Sequence, residues 1–111
     1  MMAAAAMLLA GSEWGPDSSG DVFVKFADGK VSGSGGCNRF SGPYEQNDTA
    51  VKIGPLMATR MACADESKMQ KESAWFQLLE AARVIDATHL KLILKDASGK
   101  EIAVLQRRDW D

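Results

Sequence analysis

The sequence is poor in the residues that carry most catalysis and metal chemistry: one histidine, two cysteines, and no block of like charge. His89 is the sole imidazole, so a serine or cysteine hydrolase working through histidine would have to use it. It stands at the head of an expected strand, and the chain has no Gly-x-Ser-x-Gly elbow to present a nucleophile. Cys37 and Cys63 form no Cys-x-x-Cys pair, and no second Cys/His cluster completes a tetrahedral site, so neither metal nor cofactor is expected. The two sulfurs are open to two states, buried thiols or one disulfide, and the compartment decides between them.

Charge is equally uninformative in sign. The formal net charge is -2, with Lys and Arg spread among Asp and Glu, and such a surface builds no field that gathers phosphates. Nucleic acid is therefore not an expected partner. Arg107-Arg108 is the nearest approach to a basic patch, but Asp109 and Asp111 follow, which reads as a solvated tail. Long apolar runs are missing too. MMAAAAMLLA has no Lys or Arg ahead of it and is too short to span a bilayer, so no transmembrane helix is expected. Residues 1–8 read as an apolar lead-in to the first strand or the remnant of an export signal. Leu8-Leu9-Ala10-Gly11 is similar to the end of a bacterial lipoprotein signal, with Ser12 where the lipidated cysteine would stand.

What is present is an ordinary globular composition, 46% hydrophobic and 25% charged over 111 residues, which suits one domain spanning 1–111 around one core. Ser12 to Gly20 holds a short strand ending at Trp14 and then a loop. Val22 to Phe26 is a β-branched and aromatic run, and Asp28-Gly29 behind it is a hairpin signal. Its partner begins at Lys30 and turns glycine-rich through Gly36. Cys37 to Gln46 places Phe40 and Tyr44 among turn formers, and Asn47-Asp48 turns the chain into Ala50 to Ile53. Gly54-Pro55 breaks that strand, and an extended piece runs through Leu56, Met57 and Thr59 toward Cys63.

One helix is expected from about Ser67 to Arg83, capped by Asp65 or Ser67. Met69, Phe76, Leu79 and Arg83, widened by Trp75, Leu78 and Ala82, make its apolar stripe, leaving Lys68, Lys71, Glu72 and Glu80 mostly for solvent. His89 to Lys95 then alternates with Leu90, Leu92 and Leu94 on one side, and Glu101 to Gln106 closes a C-terminal hairpin.

Gly35-Gly36-Cys37-Asn38, then Gly42 and Tyr44, then Thr59-Arg60-Met61-Ala62-Cys63 resemble the motifs of the META domain, or HslJ-like, family. The leading Gly11 to Trp14, the Phe26-Ala27-Asp28-Gly29 hairpin, and Glu72 four residues before Phe76 fit the same order. The resemblance covers about residues 9 to 106. It implies an α+β fold, an antiparallel curved sheet or partial (cracked) β-barrel packed on one α-helix. It also implies a non-enzymatic bacterial envelope domain, periplasmic or associated with the outer membrane, of a kind linked to heat shock or novobiocin resistance. Export would pair Cys37 with Cys63, a closure worth roughly 3–4 kcal/mol in the chain-entropy model.

Apart from the family, the double glycine reads as a corner. Gly35 and Gly36 admit backbone angles closed to other residues and steer Cys37 inward, and Asn38 hydrogen-bonds the neighbouring backbone. With no Gly-Lys-Ser/Thr and no helix start behind it, the segment is a poor phosphate cradle. Trp14, Trp75 and Trp110 read mainly as core, with an apolar groove as the alternative. The expected function is a monomeric module that binds a lipid, another hydrophobic ligand or an envelope protein. The alternatives are a small hydrolase using His89, and a structural or inhibitory accessory domain whose partner takes an exposed strand edge.

Overall fold

The structure is a computed structural model that describes residues 8–17, 20–59 and 63–108. Arg60, Met61, Ala62 and Trp110, singled out above, lie outside those residues, as do 1–7, Asp109 and Asp111.

Nine strands and one helix follow in the order β1 (Ser12–Gly15), β2 (Val22–Ala27), β3 (Lys30–Gly35), β4 (Arg39–Asn47), β5 (Ala50–Ile53), β6 (Met57–Ala58), α1 (Glu66–Ala81), β7 (Val84–Ala87), β8 (Lys91–Lys95) and β9 (Glu101–Arg107). All pairings are antiparallel, and β3–β4 joins the ends of the row β3-β2-β1-β9-β8-β7-β5-β4 into a closed ring of eight strands, with β6 added beside β4. The expected curved sheet is thus a closed barrel. It is thinnest at the β5–β7 seam, where Ala50 opposite Val84 is supported by Val51 N–H to the Arg83 carbonyl and Ile85 N–H to the Thr49 carbonyl.

Alternation explains the interior. Val24 and Phe26 of β2, Val51 and Ile53 of β5, and Leu92 and Leu94 of β8 all point inward and are buried with Trp14, Ile85 and Leu105, as a period of two requires when one face packs on a core. β4 departs from expectation. Phe40 and Tyr44 sit in a nine-residue strand, not among turns, and both are buried. Gly42 and Pro43 look like turn formers, but Gly42 is where a side chain would strike the Pro55 carbonyl, 2.7 Å from an added Cβ. Tyr44 meets Phe26 edge to face at 5.0 Å, and burial, then the nearby Asp28 charge, pushes its phenol above the usual value.

β7 was not expected. Val-Ile-Asp-Ala is short and follows a helix directly, and its register depends on β8, with Ile85 opposite Leu94. The strand before the second hairpin is correspondingly shorter, and Leu90 lies outside it, 41% exposed.

α1 starts where Asp65 accepts from the Ser67 N–H at 2.9 Å and the Ser67 hydroxyl at 2.7 Å, the N-cap geometry that satisfies an orphan amide. It ends at Ala82, whose neighbour Arg83 is drawn into sheet pairing through the Lys95 carbonyl. Its buried residues are Glu72, Trp75 and Leu79. Met69, expected in the apolar stripe, is 43% exposed, and Glu72, expected in solvent, is 6% exposed. Tertiary packing, not apolar periodicity, sets this helix's inner face. Arg107 and Arg108 are corrected as well. Neither is a solvated tail: Arg107 belongs to β9 and lies over the Trp14 ring, while Arg108 pairs with Glu13 at 3.2 Å and donates to the Val22 and Gly20 carbonyls.

Candidate functional site

The Gly35–Asn38 corner is built around a carboxylate that α1 delivers. Glu72 Oε2 accepts the backbone N–H groups of Cys37, at 3.0 Å, and Asn38, and its Oε1 accepts from Asn38 Nδ2 at 2.8 Å. Asn38 Oδ1 in turn accepts the Thr59 hydroxyl at 3.0 Å, and the Thr59 and Arg39 backbones are joined by Thr59 N–H to the Arg39 carbonyl. A buried carboxylate is tolerated when its oxygens are met by donors, and three converge here. Because the donors belong to the β3–β4 connection and the acceptor to α1, the cluster fixes how the helix docks.

The two glycines have different reasons. Gly36 has φ +104°, which side chains rarely adopt, whereas Gly35 is a matter of space: a Cβ there would lie 2.4 Å from Glu72 Cγ. Cys37 and Cys63 are joined in a disulfide, with Cα atoms 6.1 Å apart. The bond ties the segment just before α1 to the corner that receives Glu72. Gly35, Gly36, Cys37, Asn38, Thr59 and Cys63 thus come together, while Tyr44 and Gly42 lie further along β4 and serve the barrel wall.

Beside this corner runs a crevice between α1 and residues 16–17 and 20–22. It has a volume of about 520 Å³, with Val22, Ala74, Trp75 and Leu78 as its apolar wall and Asp17, Asp21 and Lys71 around it. A smaller hollow adjoins it through Asp21, Val22 and Lys71, and reaches Gly35, Gly36 and Lys68. The larger volume falls within the range of small-molecule sites. Sequence reasoning read Trp75 as core, which it is, at 6% exposure. The crevice is not readable from the sequence because it depends on where Pro16, Asp17, Gly20 and Asp21 lie against the helix.

His89 lies in the β7–β8 connection and is exposed. Among the described residues, no hydrogen bond or ion pair joins its imidazole to a carboxylate or hydroxyl. Ring closure also gives every described strand at least two neighbours except β6, two residues long, which leaves little edge for a partner's strand. No group of three or more His, Cys, Asp or Glu among the described residues is arranged to hold a metal. No helix among them is long and apolar enough to cross a membrane.

The family model described as the META domain matches residues 7–109. A solved structure from Burkholderia xenovorans is similar over 92% of this chain and 85% of its own, with 22% identity and a TM-score of 0.71. A second NMR structure covers 88% of this chain and 90% of its own at 22% identity and a TM-score of 0.65. A duf4847 family protein from Bacteroides vulgatus covers 80% of this chain and 60% of its own at 18% identity and a TM-score of 0.55. At these identities the likeness is one of fold. Among curated proteins none matches.

Proposed function

The chain belongs to the META domain family, and from that premise we propose that it is a non-enzymatic module of the bacterial cell envelope that captures a small hydrophobic ligand beside its helix. The observation that carries the reading is the crevice: an apolar wall of Val22, Ala74, Trp75 and Leu78 held open next to a stapled, hydrogen-bonded corner. A binding site needs walls that keep their shape without the ligand, since ordering them on binding subtracts from affinity. The Cys37–Cys63 disulfide supports residence in an oxidising compartment such as the periplasm. The family supplies the link to envelope stress and drug resistance, including heat shock and novobiocin; a monomeric state accords with a sheet that closes on itself.

The test is a titration with hydrophobic fluorescent probes against the protein and its Ala74→Trp variant. Ala74 is exposed and lines the crevice, so the larger side chain fills the space without entering the core. Saturable binding by the parent and at least a roughly tenfold loss in the variant, with circular dichroism unchanged, is the expected result. Equal binding to both proteins would remove the crevice as the site.

A further inference from the structure

We propose that Arg108, which does not itself line the crevice, sets the crevice's affinity for a ligand by holding its outer wall in place. The inference rests on the reading of the crevice as a ligand site and adds the residue that positions it. The inner wall, Lys71, Ala74, Trp75 and Leu78, belongs to α1 and is framed by the helix's own hydrogen bonds. The outer wall has no such frame. Pro16, Asp17, Gly20 and Asp21 stand outside the strands, and only Val22 enters β2. Among the described residues, the one hydrogen bond to those four runs from Arg108 Nη2 to the Gly20 carbonyl, at 2.9 Å. Arg108 Nη1 donates to the Val22 carbonyl at 3.1 Å, so a single guanidinium spans the point where the wall passes into the sheet.

That guanidinium is itself held in place. Its Nε lies 3.2 Å from Glu13 Oε2, the two side chains being 13% and 26% exposed, and its Cζ sits 5.0 Å from the Phe23 ring centre. The Arg108 backbone N–H donates to the Glu13 carbonyl at 2.8 Å. Gly15 leaves the arm its path, since a Cβ there would come within 3.0 Å of Arg108 Cδ. Three separate nitrogens meet three acceptors, a fork that a lysine, with all its donors on one atom, does not reproduce. A wall that is in place for only part of the time lowers the apparent affinity by that fraction, and ordering it on binding subtracts from what the apolar contacts contribute. Arg108 removes that cost in advance.

The experiment titrates prodan, a neutral naphthyl ketone, into the full chain, into Arg108→Ala and into Arg108→Lys. Arg108→Ala is expected to bind roughly tenfold more weakly, as for a wall in place about one tenth of the time. Arg108→Lys keeps the charge facing Glu13 but not the fork, and its loss is expected to be about threefold. Ethylguanidinium, the fragment that the alanine substitution deletes, is then added at concentrations too low to move the parent's urea midpoint. It should bring Arg108→Ala back to within about twofold of the parent and leave the parent's own affinity unchanged. A purely structural arginine would lower the urea midpoint and leave prodan affinity where it was. Prodan affinity of Arg108→Ala within about twofold of the parent, or a loss that ethylguanidinium does not reverse, would overturn the role of Arg108 while leaving the crevice as a site. Should Arg108→Ala fold poorly, Arg108→Lys decides, and an affinity equal to the parent's overturns the inference. No saturable binding of prodan by the parent would overturn both this inference and the ligand reading beneath it.

Discussion

The Gly35–Asn38 corner and the β8–β9 hairpin hold the same barrel by different means. The hairpin relies on repetition: Leu92 opposite Leu105 and Leu94 opposite Ala103, with alternate residues turned inward. The corner has almost no apolar repetition. It is held by one carboxylate from α1, three donors, and a covalent tie between Cys37 and Cys63. A pattern of many small apolar contacts loses stability in proportion to what is removed, whereas a polar cluster fails as a unit because each deleted partner strands the others.

Glu72→Ala is the sharpest break of that contrast. Removing the carboxylate leaves the Cys37 and Asn38 amides and Asn38 Nδ2 without their acceptor, and the expected cost is about 3–5 kcal/mol, read from the urea midpoint. A loss under about 1 kcal/mol would mean that water replaces the clamp and that the corner is ordinary surface. Next in size is the double change Cys37→Ser with Cys63→Ser, expected to lower stability by about 3–4 kcal/mol through restored freedom of the unfolded chain. Of a total near 5–15 kcal/mol this is a large share, so thermal melting with and without reductant should separate the parent protein clearly and leave the double variant unmoved.

The same contrast explains what could be read from the residues alone. β2, the Asp28-Gly29 turn, β5 and the β8–β9 hairpin were legible because each depends on alternation or turn chemistry within a few residues. The helix was legible in its extent and its Asp65 cap but not in its inner face, because Glu72 faces inward to meet groups 34 and 35 positions away. β4 was masked by Gly42 and Pro43: Gly42 lies where a side chain would strike the Pro55 carbonyl, and Pro43 is an exposed strand residue opposite Lys30. The corner's components were visible as a cluster of glycine, cysteine and asparagine, but their shared acceptor was not. The only local hint was an acidic residue four positions before Phe76, and spacing alone does not say that such a residue is buried.

Glycine offers a finer comparison between the two regions. Gly35 has no room for a methyl group against Glu72, while Gly99 in the β8–β9 turn has open space around it and φ +87°. Gly35→Ala is expected to cost about 2 kcal/mol by displacing Glu72, and Gly99→Ala about 1 kcal/mol through backbone strain. In a Glu72→Ala background the collision at position 35 is gone, so Gly35→Ala should become nearly neutral while Gly99→Ala keeps its full cost. Additive effects for Gly35 and Glu72 would show that the close approach does not govern that glycine.

The smallest effect concerns something the two regions share. Asp65 at the start of α1 has its carboxyl held below the usual value, first by the Ser67 hydroxyl and then by the Ser67 N–H. Asp96 in the β8–β9 turn is lowered in the same way by the Ser98 hydroxyl and then the Lys100 N–H. A carboxyl whose value is depressed by folding contributes stability that is fully present above its unfolded value, about 3.9, and is lost as pH falls through the lower folded one. Asp65→Asn and Asp96→Asn keep an acceptor oxygen but do not titrate. Each variant should therefore lose less stability than the parent when urea midpoints at neutral pH are compared with midpoints near pH 3. Since the two caps are alike in exposure and bonding, the two reductions should be similar. A reduction confined to Asp65→Asn would mean that the acid response belongs to helix docking at the corner and not to the cap itself.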